Sequence, residues 1–273
     1  MIADPVLLAQ LTALLVVIGA FAGVVAGLLG VGGGIVLVPA FFYLFTALGY
    51  GGVQVMQVCL ATSLATIIVT SARSVQSHNK RGAVEWPILR GWALGIAIGA
   101  IIGVLTAAML RSVVLQGIFG VLGVLIGLWF AFGRADFRLA DRMPTGPLKG
   151  AISSTIGFLS VLMGIGGGSF GVPLMTLYGV PIHRAVATAA GFGILIAVPS
   201  VLSFLFVPVA DAPPLTIGAV NLPAFAIVVI MTTMTAPLGA KLAHAMDPKP
   251  LKLVFAVFII LMALNMLRKA LGF

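Results

Sequence analysis

PVLLAQLTALLVVIGAFAGVVAGLLGVGGGIVLVPAFFYLFTALGYGGVQVMQVCLATSLATIIVTSA, residues Pro5 to Ala72, holds no Asp, Glu, Lys, Arg or His in 68 positions. At about 20 residues per crossing, such a run amounts to roughly three passages through a bilayer core. The rest of the 273-residue chain has the same character, with 61% hydrophobic residues, 8% charged and a mean hydropathy of +1.25. Soluble domains carry about 25% charged residues, so too little polar surface exists to coat a globule in water. A soluble enzyme is excluded. The 15 Lys and Arg against 6 Asp and Glu give a net charge of +9. In a soluble chain that excess points to nucleic acid; in a membrane chain it collects on cytoplasmic loops, and no nucleic-acid partner is expected. The single cysteine, Cys59, sits inside the apolar run, which leaves neither a disulfide framework nor a cysteine metal site. The start, MIADPVLLAQ, has no basic n-region and reads as the first span instead of a signal peptide.

Working outward, Gly, Pro, Asn and charge clusters divide the chain into apolar segments at 6–29, 34–48, 55–77, 87–110, 112–133, 148–163, 168–182, 184–208, 222–245 and 250–271. All are expected to be helices, because backbone in lipid must satisfy its own hydrogen bonds and the alternating ten-residue strands of a barrel are absent. Segments 34–48 and 168–182, at about 22 Å, fall short of the roughly 30 Å core and read as broken or re-entrant pieces. The predicted fold is therefore all-α and polytopic, with about 8 to 10 transmembrane segments.

The polar linker RADFRLADRMPTGPLK, 134–149, separates a first transmembrane repeat, 1–133, from a second, 150–273. GVGGGIVLVPAF (Gly30 to Phe41) and GIGGGSFGVPLM (Gly164 to Met175) agree at six of twelve positions, and GAVEWP (Gly82 to Pro87) and GAVNLP (Gly218 to Pro223) at four of six. Between these blocks, Ala61-Thr62 matches Ala187-Thr188. Equivalent loops carry opposite charge. The connection after the third segment is basic in the first half (Arg73, Lys80, Arg81), whereas its counterpart around Asp211 is not. After the fourth, Arg111 stands alone in the first half, but Lys241, Lys249 and Lys252 follow in the second. By the positive-inside rule these loops lie on opposite sides, the signature of an inverted repeat with the linker cytoplasmic and both termini outside. Arg268 and Lys269 fit this poorly. Four crossings per half would defeat the inversion.

Glycine runs break a helix, uncover backbone N–H groups and aim the following helix N-terminus at an anion. Two copies at equivalent positions, Gly32-Gly33-Gly34 and Gly166-Gly167-Gly168, each followed by a proline (Pro39, Pro173), are expected to meet and form a substrate site. Ser169, Thr62, Ser63 and Thr188 add hydroxyls that donate to anion oxygens without burying a charge. Gln57 and the matching His183, with Arg184, are candidates for gating or attracting an anion. The six acids, Asp4, Glu85, Asp136, Asp141, Asp211 and Asp247, fall near segment ends, which disfavours a carboxylate proton relay and metal-cation transport. No metal site, cofactor or catalytic residue is expected. The expected partners are a small anionic substrate and the bilayer, with self-association left open.

The duplicated glycine blocks, the LATSLAT and VATAAGF segments and the RGAVEWP block together resemble the TauE/SafE sulfite exporter family, also called the toluene sulfonate uptake permeases. The likeness spans nearly the whole chain. It implies a polytopic inner-membrane permease for small sulfur-containing anions such as sulfite, thiosulfate or sulfonates, with carboxylate transport or a passive anion channel as alternatives. The family's glycine motifs fall on Gly30 to Gly34 and Gly164 to Gly168, and its Ala-Thr pairs on Ala61-Thr62 and Ala187-Thr188. Ser169 stands where the first half has Ile35, so the halves need not bind substrate symmetrically.

Overall fold

A computed structural model describes residues 5–29, 33–133, 138–245 and 248–272. Within them the chain forms ten helices: α1 (Pro5–Leu29), α2 (Gly34–Ala47), α3 (Val55–Asn79), α4 (Trp86–Met109), α5 (Ser112–Phe132), α6 (Gly146–Met163), α7 (Gly168–Leu177), α8 (Ile182–Phe204), α9 (Leu222–Ala245) and α10 (Pro248–Ala270). Each falls on one of the ten apolar segments. The all-helical expectation holds apart from one small antiparallel hairpin, β1 (Thr216–Ile217) with β2 (Val220–Asn221), in the connection before α9. Five helices are long and apolar enough to span a bilayer over described residues: α3, α4, α5, α8 and α9 as far as Gly239.

Two expected boundaries move for a local reason. The segment expected over 168–182 is helical only to Leu177, and α8 begins earlier, at Ile182, and ends earlier, at Phe204. Gly179 adopts φ 79°, its N–H donating to the Thr176 carbonyl while Val180 N–H reaches back to Met175. This paired closure stops a helix, and Pro181 then prevents its resumption on the same axis. α7 is thus about 15 Å long and α2 about 21 Å, both shorter than the apolar core. In addition, α6 takes up Gly146 to Lys149 from the end of the polar linker.

α3 and α8 form the centre. The spanning window of α3 is 83% buried and that of α8 61%, against 39% for α4 and α5 and 22% for α9. The outer helices turn large apolar side chains outward, including Leu94, Leu105, Val121 and Phe132, a belt that suits acyl chains as solvent. Close approach through small residues holds the helices together, since lipid removes most hydrophobic drive for association. On α4, a Cβ at Gly103 would lie 2.9 Å from Val161 Cβ of α6, and one at Gly99 2.7 Å from Ser154 Cα. On α5, Gly120 and Gly127 seat Leu267 and Ile260 of α10.

The packing partners repeat on exchanging the halves. α1 packs on α9 as α6 packs on α4, and α2 on α3 as α7 on α8, while α3 pairs with α8 and α5 with α10. Directions follow from the contacts. Gly19 and Gly23 of α1 meet Val228 and Thr232 of α9 in rising order, so these helices run parallel, as do α4 and α6. Gly120 and Gly127 of α5 meet Leu267 and Ile260 in falling order, so α5 and α10 are antiparallel.

Candidate functional site

The first glycine break lies between α1 and α2. Gly33 takes φ 72°, a left-handed conformation that costs an ordinary residue about 1–2 kcal/mol, and its carbonyl accepts from the N–H groups of Val36 and Leu37 at 3.0 and 3.2 Å. Gly32 lies outside the described residues. The second break joins α6 to α7. Gly164 closes α6 at φ 61°, its N–H bonding Val161 and that of Ile165 bonding Ser160, each at 2.9 Å; buried Gly166 follows, and Gly167 N-caps α7.

The two breaks meet. A Cβ on Gly34 would stand 2.5 Å from the Gly164 carbonyl oxygen and 3.0 Å from Ile165 Cα, so backbone lies against backbone. Ser63 Oγ of α3 donates to that same Gly164 carbonyl at 2.7 Å. Gly164 rests on Leu60 of α3, and Gly167 on the Ala189 carbonyl and Gly193 N–H of α8. Both breaks therefore sit on the central helix pair. Gly168, the first residue of α7, is buried with them.

Ser169 is 2% exposed and its hydroxyl has no hydrogen-bond partner among the described residues; the hydroxyl of Ser160, fully buried near the end of α6, has none there either. Leaving a buried polar group unpaired costs about 1–3 kcal/mol, and each such group calls for an explanation. Pro173 also has no N–H to offer the Ser169 carbonyl four residues earlier. The position that distinguishes the second half from Ile35 of the first is thus a polar point with unused bonding capacity. Ser160 escaped the sequence reading because it has no counterpart in the first half.

Thr62 and Thr188 both bond to backbone on another helix's approach. Thr62 Oγ1 accepts from the backbone N–H of Asn221 at 3.0 Å, and Thr188 Oγ1 accepts from that of Glu85 at 2.9 Å. Glu85 and Asn221 are equivalent residues of the GAVEWP and GAVNLP blocks, so each half's threonine holds the other half's loop. Each hydroxyl acts here as acceptor. The aligned blocks contained the signal, since they place a matched backbone group just before α4 and just before α9.

The gating candidates separate. Buried Gln57 donates through Nε2 to the carbonyls of Ala107 and Leu110 at 2.9 and 2.6 Å, tying α3 to the end of α4, while its Oε1 has no partner. Arg184 forms an ion pair with Glu85 at the other end of the molecule, with His183 exposed beside it. Among the described residues no three His, Cys, Asp or Glu side chains come together as a metal site would require.

Comparison with known proteins gives a consistent picture. The family described as Sulfite exporter TauE/SafE matches residues 15–266. A probable membrane transporter protein of Haemophilus influenzae is 32% identical over 259 residues, covering 94% of this chain and 98% of that protein. One from Methanocaldococcus jannaschii is 27% identical, covering 93% and 94%, and one from Bacillus subtilis 32% identical, covering 64% and 71%. No solved structure matches the chain.

Proposed function

The chain belongs to the TauE/SafE sulfite exporter family of membrane transporters, and on that footing we propose that it moves small sulfur-containing anions across the inner membrane by alternating access. Sulfite, thiosulfate and sulfonates such as sulfoacetate are the substrate class, and export is the direction. The observation that carries this reading is the contact of the two glycine breaks, Gly34 on Gly164, at the junction of α2, α6 and the central α3. Broken helices meeting between repeats are where such carriers bind substrate. The residues assigned to the site are Gly32, Gly33, Gly34, Thr62, Ser63, Gly166, Gly167, Gly168, Ser169 and Thr188. Backbone N–H groups and the hydroxyls of Ser169, Thr62 and Thr188 would hold the anion there, with Ser63 fixing the Gly164 carbonyl beside it and fixed positive charge kept to the ends. The breaks touch in the structure, and in this reading the substrate is admitted when the halves rock apart.

An inverted repeat is part of the same proposal. Two observations support it. A two-fold that relates α5 to α10 while they pack antiparallel must run across the helices, hence in the membrane plane. α1 and α9 run parallel, and α2 returns to the end where α3 begins, so a short α2 does not reduce the half to an even number of crossings.

The test is thermal stabilisation of the purified protein by a panel of anions. At 100 times Kd a ligand stabilises by about 2.7 kcal/mol, so sulfite, thiosulfate or sulfoacetate at millimolar levels should raise Tm by several degrees. Stabilisation by carboxylates alone would reassign the substrate.

A further inference from the structure

Lys and Arg gather where α3 ends, α4 begins, the linker runs, α8 begins and α9 gives way to α10, as the positive-inside rule requires. Arg111, Arg268 and Lys269 are the exceptions, and all three lie at the opposite end. There the α2–α3 and α4–α5 connections meet around two cavities of about 220 and 210 Å³ that share Val53 and Arg111. The second is lined by Thr46, Gly52, Val55, Arg111, Ser112 and Gln116, among others. Its volume is roughly seven times that of a water molecule in the liquid, room for a sulfonate or carboxylate group.

Three features make it a receptacle for negative charge. First, the N-termini of α3 and α5 are fastened together at its wall: Ser112 N–H donates to the Val53 carbonyl at 2.8 Å, and Ser112 Oγ accepts from Met56 N–H at 3.0 Å. Each helix start carries about half a positive charge. Second, no hydrogen bond or ion pair engages the Arg111 guanidinium among the described residues. Third, and independently of the helix ends, Gln116 is buried, with 5% of its surface exposed, lines the cavity and has no side-chain hydrogen bond among the described residues. Lys269 adds charge at the rim, with Nζ 5.2 Å from the Phe42 ring and 4.4 Å from that of Tyr43, Phe42 being part of the cavity wall. Among the described residues, the carboxylate of Asp211 lines the neighbouring cavity.

We propose that this cavity is a second oxyanion site, in which Arg111, the Gln116 amide and the paired helix starts capture a small anion at the mouth of the protein. Its role in capture rests on the transport reading above; the binding itself does not. Val113, a lining residue 49% exposed, reports on it when changed to cysteine, because the native Cys59 is buried and the parent chain serves as control. In phosphatidylcholine vesicles, and normalised to a free thiol, a sulfonate-bearing methanethiosulfonate should label V113C at least about fivefold faster than a trimethylammonium one. Methanesulfonate should slow this labelling, and Arg111→Gln should abolish the preference. A ratio near one, or a ratio that Arg111→Gln leaves unchanged, overturns the site, as does protection by phosphatidylglycerol but not by methanesulfonate. In transport, Arg111→Gln should raise KM about tenfold with kcat within twofold, the signature of lost binding that is the same in ground and transition states. An unchanged KM overturns the capture role. Anion-selective labelling in a chain that moves no anion under any gradient leaves the site standing and overturns the transport reading instead.

Discussion

Ser169 and Gly34 show how single positions divide between packing and function. The Ser169 hydroxyl is buried and bonds nothing, so its removal takes away an unsatisfied group and should leave Tm unchanged or slightly raised. If it binds the anion, Ser169→Ala should lower flux at least about tenfold, one good hydrogen bond to a charged group being worth roughly 1.5–3 kcal/mol. Full flux in a stable S169A protein removes Ser169 from the site. Gly34→Ala tests the contact between the breaks. Its new methyl would face the Gly164 carbonyl, which is backbone and cannot swing away, so a loss of about 1–3 kcal/mol is expected in a denaturation series in detergent. The glycine breaks were legible in the sequence because duplication marks them, and Ser169 because it is where the second copy departs from the first. Gln116 and Ser160 were not, since a lone polar residue in an apolar helix gives no sign of whether its bonding capacity is filled.

At the scale of elements, the two reciprocal threonine bonds and the Glu85–Arg184 pair fasten the same loops with different strengths. Thr188→Val leaves the Glu85 N–H without its acceptor and should cost about 1–3 kcal/mol. Glu85→Gln removes an ion pair whose Arg184 side chain is 52% exposed, and such pairs contribute about 0–1 kcal/mol. Unfolding of the two variants should therefore rank T188V well below E85Q, and the reverse order would show that charge, not the threonine, holds the loop before α4. Thr62→Val should behave as T188V does, through Asn221. All ten helices were readable from apolar runs and their interruptions. The early stop of α7 was missed because the stretch through Val180 remains apolar, and only the Gly179 turn followed by Pro181 ends it. The β1–β2 hairpin, two residues per strand, is too short to leave an alternating pattern.

For the whole molecule, partner exchange between the halves joins the sequence repeat to the architecture. What the sequence could not express is which helices touch: the parallel α1–α9 and α4–α6 pairs and the antiparallel α5–α10 pair depend on glycine surfaces that composition alone does not assign to partners. Orientation gives a prediction at this scale. A cysteine at Asp211, in the connection before α9, should be labelled by impermeant reagent from outside the cell, and one at Lys80, in the equivalent connection before α4, only after permeabilisation; labelling of both from one side would contradict the proposed inversion. The central claim, that anions cross by alternating exposure of a site between the glycine breaks, is tested most directly by counterflow in proteoliposomes. Vesicles preloaded with unlabelled sulfite or sulfoacetate should take up the labelled anion transiently against its gradient, with saturating initial rates that S169A suppresses. Uptake that rises linearly with concentration and gains nothing from preloading would contradict it.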